Sequence, residues 1–148
     1  TGEDSSYWNS VMFPASHESN PDLVLIMLGT NDSKPQNWKA ADYEKQLAEF
    51  VETYQNLASH PKIYLMTPPA AFKRQGKKEV IFNVNEGIIE NEIVPILKRG
   101  AAQLEIPVID IFSATKDHPE YFNEGVHPTP AGYAIIAKTI FAALEKPQ

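Results

Sequence analysis

The sequence predicts an α/β fold, in which a parallel β-sheet is covered by helices on both faces. Three short apolar runs are typical of strands, at residues 23–28, 62–66 and 107–112. Three longer segments have helical periodicity, at residues 41–58, 84–104 and 131–144. Strand and helix therefore alternate, and this order predicts parallel strands joined by right-handed crossovers. The length of 148 residues suits a single domain over residues 1–148.

The first strand and the first long helix have clear boundaries. Residues 1–21 are polar and predict irregular structure with one short helix. Residues 23–28 are apolar at every position, between Pro21 and Gly29, which predicts a strand buried on both faces. In residues 41–58 the apolar side chains recur at steps of three and four, which is typical of an amphipathic helix.

The second half of the chain repeats this order. Pro61 precedes the strand at residues 62–66, and Pro68 follows it. Pro95 lies inside the helical segment 84–104, where we expect a kink or a break. Residues 107–112 predict a third strand. Residues 113–130 predict a loop before the last helix. Only three strands are evident, and sheets usually have about 4–6, so the sheet looks incomplete.

The composition excludes several classes of protein. The chain has 13 Lys+Arg against 19 Asp+Glu, and this net charge of −6 argues against nucleic acid as a partner. The longest apolar run is far shorter than the ~18 residues that a membrane span needs, so none is expected. The absence of cysteine excludes a disulfide framework, a thiolate metal site and a cysteine nucleophile.

Polar residues follow the strands, at the edge where parallel sheets bind ligands. Asn31 and Asp32 come just after the first strand, and Pro69 follows the second. Glu124 and His127 lie in the loop after the third. An amide, a carboxylate and an imidazole at one rim suit acyl transfer, which needs a base, a group that orients it and donors for an oxyanion.

Each of these residues also has a purely structural interpretation. A carboxylate three residues before a histidine can reach its ring, but Glu124 could equally be a solvated loop acid while His127 caps the next helix. Asn31 is either a site group or part of an Asx turn. Asp32 is better suited to accepting backbone N–H bonds within its loop than to chemistry.

Two of these segments carry a family resemblance. Gly29-Thr30-Asn31-Asp32 resembles block III of the SGNH, or GDSL-type, serine esterases, and residues 124–128 (E-G-V-H-P) resemble block V, normally D-G-V-H-P. The resemblance implies a flavodoxin-like three-layer α/β/α sandwich without a cofactor or catalytic metal. Residues 33–38 are similar to the sialate O-acetylesterase-like branch of the family.

The resemblance also implies a role for each matched residue. Asn31 would donate to the oxyanion, His127 would be the general base, Glu124 would orient its ring, and Gly29 would allow a tight turn. The implied reaction is hydrolysis of a carboxylic ester, with acetyl esters of carbohydrates or other small esters as substrates. Candidates for the substrate pocket are Trp38, Pro69 and Val126. The family favours a secreted or periplasmic location.

The sequence departs from the family pattern at three points. Glu124 stands where the family has Asp, and its extra methylene lengthens the reach to the imidazole. The G-D-S block that carries the nucleophilic serine is absent, and block II, with its oxyanion-hole glycine, is not recognisable. We therefore expect a missing N-terminal segment of about 50 residues with the first strands. We expect the isolated chain to pair with another copy or with the missing segment, or to aggregate.

None of the eight serines in the chain is expected to be the nucleophile. Ser33 is nearest to the predicted site, but no G-x-S-x-G elbow surrounds it. Ser5 and Ser6 have no preceding strand that would present a hydroxyl group.

Other functions remain open beside the esterase. A degenerate SGNH-like domain could bind carbohydrate or a protein partner without catalysis. A flavodoxin-like binding domain is disfavoured, because no glycine-rich phosphate loop follows the first strand. A zinc site is disfavoured as well, because Asp117, His118, Glu124 and His127 do not have zinc-ligand spacing.

Overall fold

The computed structural model describes residues 6–145 and has the predicted α/β architecture. Its strands are β1 (Leu23–Ile26), β2 (Lys62–Met66) and β3 (Val108–Ile109). They form a parallel sheet in the order β1-β2-β3, with Leu25 opposite Tyr64 and Leu65 opposite Val108. The sequence-based fold class is therefore confirmed. Residues 1–5 of the predicted irregular opening lie outside the described part.

The predicted helices are present, with shorter elements between them. The helices are α1 (Met12–Glu18), α2 (Ala40–Gln55), α3 (Glu86–Ile88), α4 (Val94–Gln103), α5 (Ile111–Thr115) and α6 (Pro130–Leu144). Single 3-10 turns lie at Tyr7–Asn9, Ile81–Asn83 and Pro119–Tyr121. Between residues 6 and 145, no helix is both long enough and apolar enough to cross a membrane.

Helices pack on the two faces of the sheet because the side chains of β2 alternate in direction. Ile63 and Leu65 belong to the core cluster that contains residues of α2 and α4. Tyr64 and Met66 point the other way, into a cluster with Ile136 of α6. This arrangement gives three layers, with the helices α2 and α4 on one side and α6 on the other.

The first strand differs from its prediction. Val24 and Ile26 are buried, but Leu23, Leu25 and Met27 are each at least 36% exposed. The expectation of burial on both faces was therefore wrong. The apolar run did not predict the exposure of these three residues, because it carries no information on whether a helix packs on their face of the strand. Within the described residues, α6 covers β2 and β3 and leaves this side of β1 open.

The third strand is shorter than predicted, because Asp110 starts a helix. Its carboxylate accepts a hydrogen bond from the backbone N–H of Ser113 at 3.1 Å, and so caps α5. Partial burial of Asp110 raises its pKa. Hydrogen bonds from Lys98, Ser113 and Thr67 outweigh that effect and hold the pKa of the carboxyl below its ordinary value.

The irregularity expected around Pro95 is a π-helical turn. The turn covers Ile89–Ile93 and links α3 to α4, with Pro95 at the start of α4. Proline has no N–H for the usual helical hydrogen bond, and a π turn lets the chain remain helical around it. Ile89 and Ile93 in this turn are fully buried, beneath the loop that follows β1.

Candidate active site

Glu124 and His127 are in contact. One carboxylate oxygen of Glu124 accepts a hydrogen bond from the backbone N–H of His127 at 3.0 Å and also contacts Nδ1 of its ring. The carboxylate side chain is only 19% exposed, whereas the imidazole is 64% exposed. Thr129, not His127, caps α6, because its hydroxyl accepts the N–H of Gly132 at 3.2 Å. The ring of His127 is therefore oriented by a carboxylate on one nitrogen and is open to solvent.

The contact with His127 also sets the ionisation of Glu124. Partial removal from water raises the pKa of the Glu124 carboxyl. The hydrogen bonds from the backbone and ring of His127, together with the charge of a protonated ring, lower the pKa by more. The net pKa lies below the ordinary value of a glutamate, so the group is ionised at neutral pH and can hold Nδ1 in its protonated form.

Gly125 allows the turn between these two residues. It has φ +94°, and a Cβ placed on it would lie 2.0 Å from the carbonyl oxygen of Phe72. In the other direction, the Phe72 N–H donates to the carbonyl of Gly125 at 2.8 Å. This close backbone contact joins the loop that follows β2 to the loop that carries the histidine.

Asn31 is presented by a tight turn after β1. Gly29 has φ +133°, and a Cβ there would lie 2.9 Å from Ile93 Cγ2, so the predicted need for glycine has a steric basis. The N–H of Ser33 donates to the carbonyl of Gly29 at 3.0 Å. The backbone carbonyl of Asn31 accepts from the side-chain amide of Asn37 at 3.0 Å. The Asn31 side chain is exposed at the rim of the sheet.

Ser33 has a structural role in this loop. It is fully buried, and its hydroxyl donates to the carbonyl of Thr30 at 2.7 Å. The same oxygen accepts the backbone N–H of Asn85 at 3.1 Å. The hydroxyl therefore ties the Asn31 loop to the segment before α3, and it is not positioned to attack a substrate.

Asn31 and His127 line the same cleft, which has a volume of about 510 Å³. Two of the predicted pocket residues, Pro69 and Val126, also line it. The remaining lining residues are Met27, Thr30, Lys34, Phe82, Val84, Pro128, Tyr133 and Ile136. The cleft thus has an imidazole and an amide on an otherwise largely apolar wall.

Two other predicted site residues lie away from this cleft. Trp38 is half-buried beside Tyr43, and its indole N–H donates to Glu92 at 2.8 Å. Asp32 lines a neighbouring depression, together with Tyr7 and Trp8. Burial raises the pKa of the Tyr43 hydroxyl, and the negative charge of Asp32 raises it further.

Eight residues of the cleft lining were not predicted as site residues from the sequence, and three of these eight, Phe82, Lys34 and Tyr133, are aromatic or charged. Phe82 has its ring centroid 5.5 Å from that of His127, in an edge-on arrangement. Lys34 and Tyr133 also line the cleft. Of these three, only Lys34 had a signal in the sequence, because it lies two residues after the end of the block III motif. Phe82 is 45 positions from His127 in the sequence and lies in none of the predicted helices or strands.

No serine is among the residues that line this cleft in the described part of the chain. Ser6 caps the 3-10 turn Tyr7–Asn9, and Ser5 lies outside the described residues. Over residues 6–145, no group of three or more histidine, aspartate or glutamate side chains is arranged to hold a metal ion.

The fold and the site define a class of α/β domains with a histidine–carboxylate pair in a loop at the carboxyl edge of a parallel sheet. The model of the GDSL-like lipase/acylhydrolase family matches residues 2–135. The chain belongs to this family, and the resemblance found from its sequence motifs is confirmed.

Individual relatives agree with this assignment. The chain is 30% identical to an acetylxylan esterase of Xylanibacter ruminicola, in a match that covers 96% of this chain and 32% of the relative. It is 24% identical to the rhamnogalacturonan acetylesterase RhgT of Bacillus subtilis, over 89% of this chain and 64% of the relative.

Solved structures have the same fold. A lipase/acylhydrolase from Enterococcus faecalis superposes with a TM-score of 0.71 at 25% identity, covering 88% of this chain and 66% of that one. A catalytic mutant of an acetylxylan esterase from Geobacillus stearothermophilus has a TM-score of 0.68 at 21% identity, over 88% and 62% of the two chains. The present chain therefore spans about two thirds of these structures and a third to two thirds of the curated relatives above.

Proposed function

We propose that the protein hydrolyses carboxylic esters and removes acetyl groups from carbohydrates or other small esters. The observation that carries this proposal is the Glu124–His127 pair, whose imidazole opens into the cleft that Asn31 also lines. The acetylesterases among the relatives, which by name act on acetylxylan and rhamnogalacturonan, support the choice of acetyl group and sugar. The largely apolar wall around the imidazole suits a small acyl group.

The reaction needs a nucleophile beside His127. We propose that a serine supplied by chain outside these 148 residues takes this position. Two observations support this: the cleft has no serine among its described lining residues, and β1 pairs with another described strand on one side only. A further parallel strand beside β1 would end at the same edge as Asn31.

In the proposed mechanism, Nε2 of His127 removes the hydroxyl proton as the serine oxygen bonds to the ester carbon. The side-chain amide of Asn31 donates to the resulting oxyanion, and loss of one such donor typically costs about 10²–10³ in rate. The imidazolium returns the proton to the departing sugar oxygen and leaves an acyl-serine. Water, deprotonated by His127, then attacks this ester and releases acetate and the free serine.

Hydrolysis of p-nitrophenyl acetate and of acetylated xylotriose tests the proposal. Both esters are assayed with the 148-residue chain and with a form extended upstream by about 50 residues. The His127→Ala variant should abolish activity of the extended form. The matched control is His118→Ala, because His118 also pairs with a glutamate, Glu120, at 2.8 Å but does not line the cleft.

Each result distinguishes the esterase from its alternative. Activity that is lost in His127→Ala and kept in His118→Ala supports the esterase. Inactivity of the extended form on both esters refutes it and favours a non-catalytic domain that binds carbohydrate or a protein. The non-catalytic function is tested because no serine is among the described residues that line the cleft.

A further inference from the structure

Phe82 is an exposed aromatic residue held in an unfavourable backbone conformation. Phe82 has φ +59° and Asn83 has φ +58°, so two successive non-glycine residues are left-handed. Phenylalanine rarely adopts this region, and such conformations occur where the surrounding structure imposes them, often at ligand sites. Its side chain is nevertheless 57% exposed, beside the ring of His127. The strain is thus not offset by burial of the ring.

The backbone on both sides of Phe82 is firmly anchored. Val80 and Val84 are buried, at 3% and 4% exposure, in the same core cluster. The N–H of Asn85 donates to the buried hydroxyl of Ser33 in the Asn31 loop. Because both ends are fixed, the segment between them presents the Phe82 ring at the mouth of the cleft with little freedom to turn away.

A second cleft adjoins the first at Val84, two residues after Phe82. Its volume is also about 510 Å³, and Val84 lines both clefts. Phe82 lines the first cleft, whereas Asn83 lines the second. Most of the residues that line the second cleft are polar or charged, and they include Gln36, Lys73, Lys78, Asn83, Asn85 and Glu86. Lys73 and Glu86 form an ion pair at 2.7 Å across part of its wall.

The aromatic ring and the polar cleft next to it fit one class of alcohol as the leaving group of the ester. From His127 outward, a ligand would meet an aromatic face and then amides and charged groups. A sugar ring has C–H faces that pack on an aromatic ring and hydroxyl edges that hydrogen-bond to amides. A long alkyl alcohol would instead have to place its chain among lysine, glutamate and asparagine side chains, which is unfavourable.

We propose that Phe82 is the stacking platform for the sugar that carries the ester, and that the polar cleft beyond it binds the next sugar of an oligosaccharide. This inference rests on the proposed esterase function and names its alcohol: a carbohydrate of at least two units. Phe82 determines specificity and takes no part in the proton transfers, which belong to His127.

A pair of variants isolates the aromatic ring. Phe82→Asn removes the ring but tolerates positive φ, so it should fold at least as well as the parent. Phe82→Tyr keeps the ring. In the extended form, Phe82→Asn should lower kcat/KM on acetylated xylotriose about five- to tenfold, through a higher KM, and should lower it less on ethyl acetate, which has no sugar to stack on the ring. Phe82→Tyr should retain the parent values. An unchanged KM for acetylated xylotriose in Phe82→Asn, or an equal loss on both esters, would overturn the proposal.

A binding measurement separates this inference from the esterase function. Unacetylated xylotriose is titrated into the 148-residue chain and its variants, with NMR chemical shifts as the readout. Binding should weaken about five- to tenfold in Phe82→Asn and should persist in Phe82→Tyr. If no ester is hydrolysed but xylotriose binding still depends on the Phe82 ring, the esterase proposal is refuted and the stacking proposal is supported. If the parent chain does not bind xylotriose, or if Phe82→Asn binds it as tightly as the parent, the stacking proposal is refuted whether or not the protein is an esterase.

Discussion

The carbonyl oxygen of Phe72 occupies the space that a side chain on Gly125 would need. The backbone N–H of Phe72 also donates a hydrogen bond to the carbonyl of Gly125 at 2.8 Å. Since Gly125 lies between Glu124 and His127, this contact positions the histidine loop against the loop that follows β2. Five predictions concern this contact, the carboxylate beside it (two predictions), the buried serine and the open face of the sheet.

Gly125→Ala should destabilise the protein severely. The new Cβ would lie 2.0 Å from backbone in a residue with φ +94°, and backbone cannot move aside as a flexible side chain could. We expect a loss of about 2–5 kcal/mol in the free energy of unfolding, measured by urea denaturation.

Gly76→Ala is the matched control for this substitution. Gly76 also has a positive φ, +74°, but nothing lies within 4 Å of a Cβ built on it. It should lose only the conformational part, about 1–2 kcal/mol. Equal losses in the two variants would show that the contact with Phe72 is not the cause.

Glu124→Gln should impair catalysis in the extended form. A neutral amide cannot stabilise the imidazolium as a carboxylate does, so kcat should fall about a hundredfold or more. Glu120→Gln removes the carboxylate from the exposed His118 pair and should leave kcat unchanged. Full activity of Glu124→Gln would mean that the carboxylate does not support His127.

The same carboxylate predicts a pH dependence of stability. The pKa of Glu124 is lowered in the folded state, so its ionised form stabilises the fold above the ordinary glutamate pKa of about 4.3. This contribution should disappear as the pH falls through the lowered folded pKa. Thermal unfolding of Glu124→Gln should therefore vary less between neutral and acidic pH than that of the parent. An identical pH profile would contradict the assigned direction.

Ser33→Ala should destabilise the fold without removing a catalytic group. It takes away the acceptor of the Asn85 N–H and the donor to the Thr30 carbonyl; Ser33 itself is fully buried and its two partners are half-buried. Groups left unsatisfied in this way cost about 1–3 kcal/mol. Chemical denaturation provides the measurement.

Ser59→Ala is the control for the loss of a buried hydroxyl. The Ser59 oxygen is buried but has no hydrogen-bond partner within the described part of the chain. Its replacement should be neutral or slightly stabilising. If Ser33→Ala abolished activity in a protein of unchanged stability, Ser33 would have a chemical role after all.

The isolated 148-residue chain should self-associate. Leu23, Leu25 and Met27 expose an apolar row on an edge strand whose outer backbone groups are not paired by another described strand. Sedimentation velocity at increasing concentration should show larger species, and Leu25→Gln should reduce them. Val11→Gln changes an even more exposed apolar residue on another element and should have no effect. A concentration-independent monomer would refute this expectation.

Several features could be read directly from local sequence. β2 has the predicted bounds, because prolines delimit a short apolar run on both sides. The helical segments followed from their periodicity, and Pro95 predicted the irregularity that became a π turn. The contact between Glu124 and His127 is also local, because they are three positions apart and a glycine between them allows the turn.

The sequence by itself therefore determined the order of the elements, the class of fold and the residues of the histidine loop, since each depends on neighbours along the chain. Only the tertiary structure decided which face of β1 is covered, that Trp38 points to Glu92, and that Phe82 lies beside His127. These features depend on which distant segments pack together. That packing is set by the burial of whole faces, which an apolar run or a lone aromatic residue does not specify.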